Sequence, residues 1–257
     1  MLHKLLATTL ALTLLGYAAI CALLYFRQRD LIYYPGATTV PIQATDFSLV
    51  RGGVKLRGWK LNPGKAGALI YFGGNAERVE SSRQDFTRLF PDRTVYLLSY
   101  RGYGASEGQP TEAALFGDAL ALYDAIRGQH PQGNIAVIGR SLGSGVASYV
   151  ASERAVEKLV LVTPFDSLAN VAQAHYRWLP VRWLLSDTYP SHRYLQRYRG
   201  PLLIVRAGRD QVIPPGNTDR LLASLAIPAE VVDFPAADHN DISSDPHYDE
   251  TLREFLR

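Results

Sequence analysis

Six short apolar runs, separated by stretches of helical length, constrain this 257-residue chain more than any other feature of it. Ala68 to Phe72, Thr94 to Leu98, Ile135 to Ile138, Lys158 to Val162, Leu202 to Val205 and Glu230 to Phe234 lack the alternation of a half-exposed strand. Continuous apolar runs of that length suit strands covered on both faces. Between them lie segments long enough for helices, at about 77 to 90, 112 to 128, 142 to 154, 167 to 185, 217 to 225 and 247 to 256. Such alternation implies an α/β fold with a mostly parallel central sheet and helices on both faces. Upstream, Phe47 to Val50 and Val54 to Leu61 alternate apolar and polar residues around Gly52-Gly53, which predicts an antiparallel hairpin.

One junction in this pattern carries chemistry. Gly139-Arg140-Ser141-Leu142-Gly143 sits between the Ile135 to Ile138 strand and a helical stretch beginning at Leu142. A Gly-x-Ser-x-Gly between strand and helix is the context of a nucleophile elbow, a sharp turn with no room for side chains beside the serine. The same pattern occurs at Gly104-Ala105-Ser106-Glu107-Gly108, but Pro110 and Thr111 follow it, so Ser106 belongs to a loop ahead of a capped helix. A dinucleotide-binding turn at Gly139 to Gly145 lacks an acidic residue closing the next strand, which ends in Thr163-Pro164.

In an open α/β sheet, reactive groups gather where strands end at their carboxyl edge. Ser141, Asp210, His239 and the Gly73-Gly74-Asn75-Ala76 loop all follow predicted strands. A serine hydroxyl needs a base to accept its proton, and an imidazole, with an ordinary pKa of about 6.5, suits that task. His239 is the expected base and Asp210 the carboxylate that orients it, with Asp166 the competing acid and His175, His192 and His247 the competing histidines. The backbone N–H groups of Leu142 and Asn75 are the expected donors to a tetrahedral oxyanion. A metal reading of His239, Asp241, Asp245 and His247 matches no zinc or calcium spacing, and no cofactor is expected.

From Leu5 to Phe26 the chain is apolar apart from threonines and tyrosines, long enough as a helix to cross a bilayer. The run exceeds a signal-peptide core and leads into Leu24-Tyr25-Phe26-Arg27 without a small-x-small site, so an uncleaved anchor is expected. The expected division is an anchor at residues 1–29 and a catalytic domain at 30–257, about the size of one α/β domain. Lys4 faces Arg27 and Arg29 across the span, which leaves the orientation open. Leu31 to Gly36 suits either the membrane interface or packing on the domain, and the aromatic stretch from Thr163 to Pro201 either packed helices or a substrate-facing cap. A net charge of +3 without a long basic block gives no support to nucleic-acid binding, and the single Cys21 excludes an internal disulfide.

Taken in order, Leu31-Ile32-Tyr33-Tyr34-Pro35, Gly74-Asn75-Ala76-Glu77, Tyr100 to Gly108, Gly139 to Gly143, Gly208-Arg209-Asp210 and Asp238-His239-Asn240-Asp241 resemble the α/β-hydrolases. More narrowly, the chain resembles the membrane-anchored α/β-hydrolase-domain proteins, a group that includes acyl-protein thioesterases and bacterial relatives. That resemblance implies a Ser141, Asp210, His239 triad and cofactor-free hydrolysis of a carboxylic ester or thioester, with a small, lipid-like acyl substrate as partner. One departure stands out: the group usually has His-Gly before the asparagine of the oxyanion loop, and Gly73 stands in the histidine's place. The loop thereby lacks a side chain that would brace it. The palmitoylated N-terminal cysteines of the eukaryotic thioesterases are also replaced here by an apolar segment, so protein depalmitoylation does not transfer. A serine peptidase and a catalytically silent acyl-binding module of the same fold are the competing expectations.

Overall fold

A computed structural model describes all 257 residues. Eight strands form one sheet: β1 (Phe47–Arg51), β2 (Val54–Leu61), β3 (Gly67–Phe72), β4 (Arg93–Leu98), β5 (Ile135–Arg140), β6 (Leu159–Val162), β7 (Leu202–Ala207) and β8 (Glu230–Phe234). Their order is β1-β2-β4-β3-β5-β6-β7-β8. The predicted hairpin, β1 with β2, is antiparallel, β2 pairs antiparallel with β4, and every later pairing is parallel. All eight predicted strands are therefore present, but β8 is an edge strand with only Phe234 buried, not the doubly covered strand expected there.

The helices are α1 (Leu2–Ile32), α2 (Arg83–Leu89), α3 (Glu112–Gln129), α4 (Leu142–Glu153), α5 (Leu168–His175), α6 (Val181–Leu184), α7 (Ser191–Tyr194), α8 (Pro215–Ala223) and α9 (Tyr248–Leu256). The absence of alternation in the central strands now has its cause. In β3, Ala68, Ile70 and Phe72 join a core with Leu122 of α3 and Val146 of α4, while Leu69 and Tyr71 join a second core with Phe86 of α2 and Leu252 of α9. Successive side chains point to opposite faces, and both faces are covered.

Two expectations about helices need correction. The stretch from 167 to 185 is not one helix but α5 and α6, separated at residues 176–180. Pro180 lacks an N–H, so no helix runs unbroken through it, and Gln173 Nε2 donates to the Tyr176 and Leu179 carbonyls in the break. The stretch from 77 to 90 is an α-helix only at α2, preceded by a 3-10 turn at Val79–Ser82. At the N-terminus, α1 is one helix from Leu2 to Ile32. Tyr33, directly after it, is 4% exposed and packs on the domain, whereas Tyr34 stays exposed. The aromatics between Thr163 and Pro201 divide: Tyr189 and Tyr198 are buried in the core, whereas Tyr176, Trp178 and Trp183 are exposed.

Candidate active site

Ser141 is the residue between β5 and α4, with φ 50° and ψ −119°. A non-glycine residue with positive φ is costly, and such strain persists only where its surroundings over-determine it. They do so here by close approach: a Cβ on Gly143 would lie 2.0 Å from the Phe72 carbonyl oxygen, and one on Gly139 2.6 Å from Ala147 Cβ. Only glycine lets α4 lie this close to β3 and β5.

The structure brings Ser141, His239 and Asp210 together from three loops. His239 Nε2 is 2.9 Å from Ser141 Oγ, and His239 Nδ1 is 2.7 Å from Asp210 Oδ2. Asp210 Oδ1 accepts the N–H groups of Val212 and Ile213, at 2.9 and 2.7 Å, so both of its oxygens are occupied. The loop carrying His239 is tied down as well. Asp238 Oδ1 accepts from Asn240 and Asp241 N–H, which holds that carboxyl below the usual range, and Arg140 donates to the carbonyls of His239 and Asn240. His239 and Asp210 are each 7% exposed. A carboxylate–imidazole–hydroxyl chain of this geometry can take the hydroxyl proton as the oxygen attacks.

The rival residues are engaged elsewhere. Asp166 accepts from Asn170, Asn217 and Arg220 and serves as a buried joint between α5 and α8. His175 contacts the Val212 carbonyl, His192 that of Asp166, and His247 its neighbour Asp245. Ser106 Oγ is buried, receiving Arg57 N–H and facing the Ser99 carbonyl at 2.8 Å each.

Leu142 opens α4, where a backbone N–H has no intrahelical acceptor, and Asn75 lines the same cavity. The Gly73 departure resolves in the structure. A Cβ there would come 2.5 Å from Val79 Cγ1, so a histidine does not fit without moving buried Val79. Bracing comes instead from Glu77, which accepts from Gly74 N–H and the Tyr71 hydroxyl, and from Tyr100, which donates to the Gly73 carbonyl at 2.8 Å. Burial raises the Tyr100 phenol well above its ordinary range, which keeps it a donor. Asn75 is held by its side chain: Oδ1 accepts the Tyr103 hydroxyl at 2.6 Å and Tyr34 N–H at 3.2 Å, and Nδ2 donates to the Ile32 carbonyl. Glu77, Tyr100 and Tyr103 were not singled out from sequence; each lies in a motif that was, but only packing reveals what it holds.

Ser141, Asn75 and Leu142 open onto a cavity of about 510 Å³, with 17 hydrophobic residues among the 20 that line it. Its far side is formed by α5, α6 and the C-terminal turns of α1.

Comparison with known proteins points to the same fold. A family model for the alpha/beta hydrolase fold matches residues 67–187. An uncharacterized protein of Mycobacterium tuberculosis is 34% identical over 244 residues, covering 90% of this chain and 87% of the relative. The alpha/beta hydrolase domain-containing protein WAV2 of Arabidopsis thaliana is 27% identical, covering 91% of this chain and 89% of its own. Among solved structures, the Pyrococcus furiosus esterase Pf2001 superposes with a TM-score of 0.65 at 19% identity, covering 83% of this chain and 92% of the esterase. The sheet order, the strained serine at the β5–α4 turn and these likenesses converge on one assignment: the chain belongs to the α/β-hydrolase superfamily.

Proposed function

We propose that this protein is a membrane-anchored serine hydrolase that cleaves a carboxylic ester or thioester through an acyl-enzyme on Ser141. The observation that carries the reading is the continuous contact from Asp210 Oδ2 through both nitrogens of His239 to Ser141 Oγ, at 2.7 and 2.9 Å. Ser141 Oγ attacks the acyl carbon as its proton passes to His239 Nε2, and Asp210 accepts the Nδ1–H of the resulting imidazolium. The oxyanion receives the N–H groups of Asn75 and Leu142. The C–O or C–S bond then breaks, the Nε2 proton goes to the departing alkoxide or thiolate, and the acyl group remains on Oγ. Water attacks that ester with its proton going to Nε2, Oγ leaves and takes the proton back, and the carboxylic acid is released.

The anchoring half of the proposal rests on α1. It is the one helix long and apolar enough to cross a membrane, and no residue of its apolar stretch is buried, with only Cys21 and Leu24 half-covered where its later turns meet the domain. A core helix of a soluble protein would be covered. The proposed division stays an anchor followed by the hydrolase domain, with the helix ending at Ile32.

Labelling with a fluorophosphonate probe tests the chemistry. Intact protein in membranes is expected to label, Ser141→Ala to lose labelling entirely, and Ser106→Ala to keep it, since Ser106 is a buried structural hydroxyl. Labelling that survives in Ser141→Ala, or a folded intact protein that never labels, would sink the proposal.

A further inference from the structure

The N-terminal helix does more in this structure than tether the domain. Ile20, Leu24, Gln28 and Leu31 of α1 all line the cavity that ends at Ser141. Their spacing of four, four and three residues places them on one face of the helix. The facing wall comes from the segment after β6, with Val171, Leu179 and Leu184 among its residues. We infer that α1 is one wall of the acyl-binding site, and that the substrate is a long-chain lipid ester whose acyl chain slides from the bilayer into the seam between α1 and α5–α6. This inference rests on the serine-hydrolase reading above and names its substrate class.

Three observations set the cavity at the membrane. The first is continuity with the apolar stretch of α1. That stretch runs to Phe26 and includes Ile20 and Leu24, while Arg27 to Asp30 end it. The cavity therefore begins at residues that sit at hydrocarbon depth when the helix spans a bilayer, and it finishes at the serine on the polar side.

The second is a contact deeper on the helix: the Tyr17 hydroxyl donates to the Trp178 carbonyl at 2.8 Å. Tyr17 lies inside the apolar stretch, so the loop at Trp178 reaches down beside the span. The third is the composition of that loop and its neighbour. Trp178 is 61% and Trp183 90% exposed, and Arg177 and Arg182 beside them are exposed too. Residues 167–186 contain no aspartate or glutamate. Exposed tryptophans with arginines and no acid fit a segment that dips from an anionic surface into the membrane beside α1, its indoles in the apolar and interfacial layers and its guanidinium groups reaching back to the headgroups.

The polar inventory of the cavity indicates which part of a lipid it takes. Gln28, Asn75 and Ser141 are the non-hydrophobic residues of its wall, and the Tyr176 hydroxyl and Trp178 indole N–H belong to exposed side chains at its outer edge. Gln28 is spent bridging the two walls, accepting from Ser186 N–H at 2.7 Å and donating to the Leu184 carbonyl at 3.3 Å. Asn75 is spent on Tyr103 and Ile32. No charged side chain lines the cavity to recognise a headgroup. Selection therefore falls on the hydrocarbon, and the polar end of the lipid stays outside with the departing alcohol.

The full chain reconstituted in vesicles of phosphatidylcholine and phosphatidylglycerol tests this, with monopalmitoylglycerol and monobutyrylglycerol as competing substrates. Leu24→Trp fills the helix side of the cavity, and Leu23→Trp places the same side chain at a neighbouring, 61% exposed position away from it. Leu24→Trp is expected to lower the palmitoyl-to-butyryl ratio of kcat/KM by at least about tenfold, the worth of roughly two displaced methylenes. Leu23→Trp is expected to keep the ratio of the unmodified protein. Equal ratios in the two variants would overturn this inference and leave the hydrolase reading standing, whereas no hydrolysis of any ester by the unmodified protein would overturn both. Should Leu24→Trp fail to fold, a palmitoyl ester with a terminal diazirine, photolysed in vesicles with Ser141→Ala protein, decides the matter. Crosslinks to residues 20–31 support the inference, and crosslinks confined to the domain overturn it.

Discussion

At Ser141 the backbone is held at φ 50°, a conformation that costs about 1–3 kcal/mol and is retained because glycines at 139 and 143 let the neighbouring elements enforce it. The strain aims Oγ at His239, and the rest of the relay depends on which nitrogen of that ring carries the proton. Asp210 decides it, since a carboxylate facing Nδ1 can only accept. In Asp210→Asn the Oδ1 atom can still accept the Val212 and Ile213 N–H groups, so the loop is kept. The new amide, however, donates toward Nδ1 and leaves the proton on Nε2, where it blocks transfer from Ser141. Ester turnover is expected to fall about 10⁴-fold with KM little changed and the thermal midpoint close to that of the unmodified protein. A loss under tenfold would show that Asp210 does not set the tautomer.

Between elements, the decisive dimension is the gap between α4 and the sheet. The Phe72 carbonyl that a Gly143 side chain would strike belongs to β3 backbone and has no rotamer to yield with. Gly143→Ala is therefore expected to cost at least about 1–3 kcal/mol of stability, as forced overpacking does. Gly128, exposed near the end of α3 with nothing within 4 Å of a Cβ, is the matched control. Alanine there should add about 0.5–1 kcal/mol, because only the helix propensity changes. Thermal unfolding of the two full-length variants in the same detergent checks both signs, and an equal shift in the two would refute the close-approach argument. These glycines also mark the limit of what a sequence discloses. Gly139 and Gly143 were legible because the pattern around Ser141 has a known geometry. That Gly73 excludes a histidine became visible only with Val79 folded against it.

Across the whole molecule, strands were the easiest part to read, since a doubly covered strand imprints an unbroken apolar run on the chain. Helices in the 163–201 segment were harder, because Pro180 divides a stretch whose composition otherwise suits one helix. The cavity was not legible at all: it joins α1 to residues about 150 positions later, through contacts such as Tyr17 to Trp178, 161 residues apart. Tyrosine hydroxyls make many of these long joints. Tyr33 bonds Asp187 and Tyr189 at the foot of α1, Tyr103 bonds Asn75, Tyr100 donates to the Gly73 carbonyl, and Tyr123 donates to the Ala155 carbonyl. Burial raises Tyr71, Tyr100, Tyr103, Tyr189, Tyr198 and Tyr248 above the ordinary phenol range, and pushes Tyr96 up to about 12. A phenol whose folded pKa lies above its unfolded value adds stability that is complete below about pH 10 and is lost as pH climbs toward the folded value. With many such groups sharing one fold, alkali should strip stability steeply above about pH 10, and the loop carrying Asn75 and the cavity wall go with it. Phenolate absorbance and circular dichroism followed together in one alkaline titration check this. The buried tyrosines are expected to ionise in a single step coincident with unfolding, and their gradual titration in a protein that keeps its circular dichroism would refute the argument.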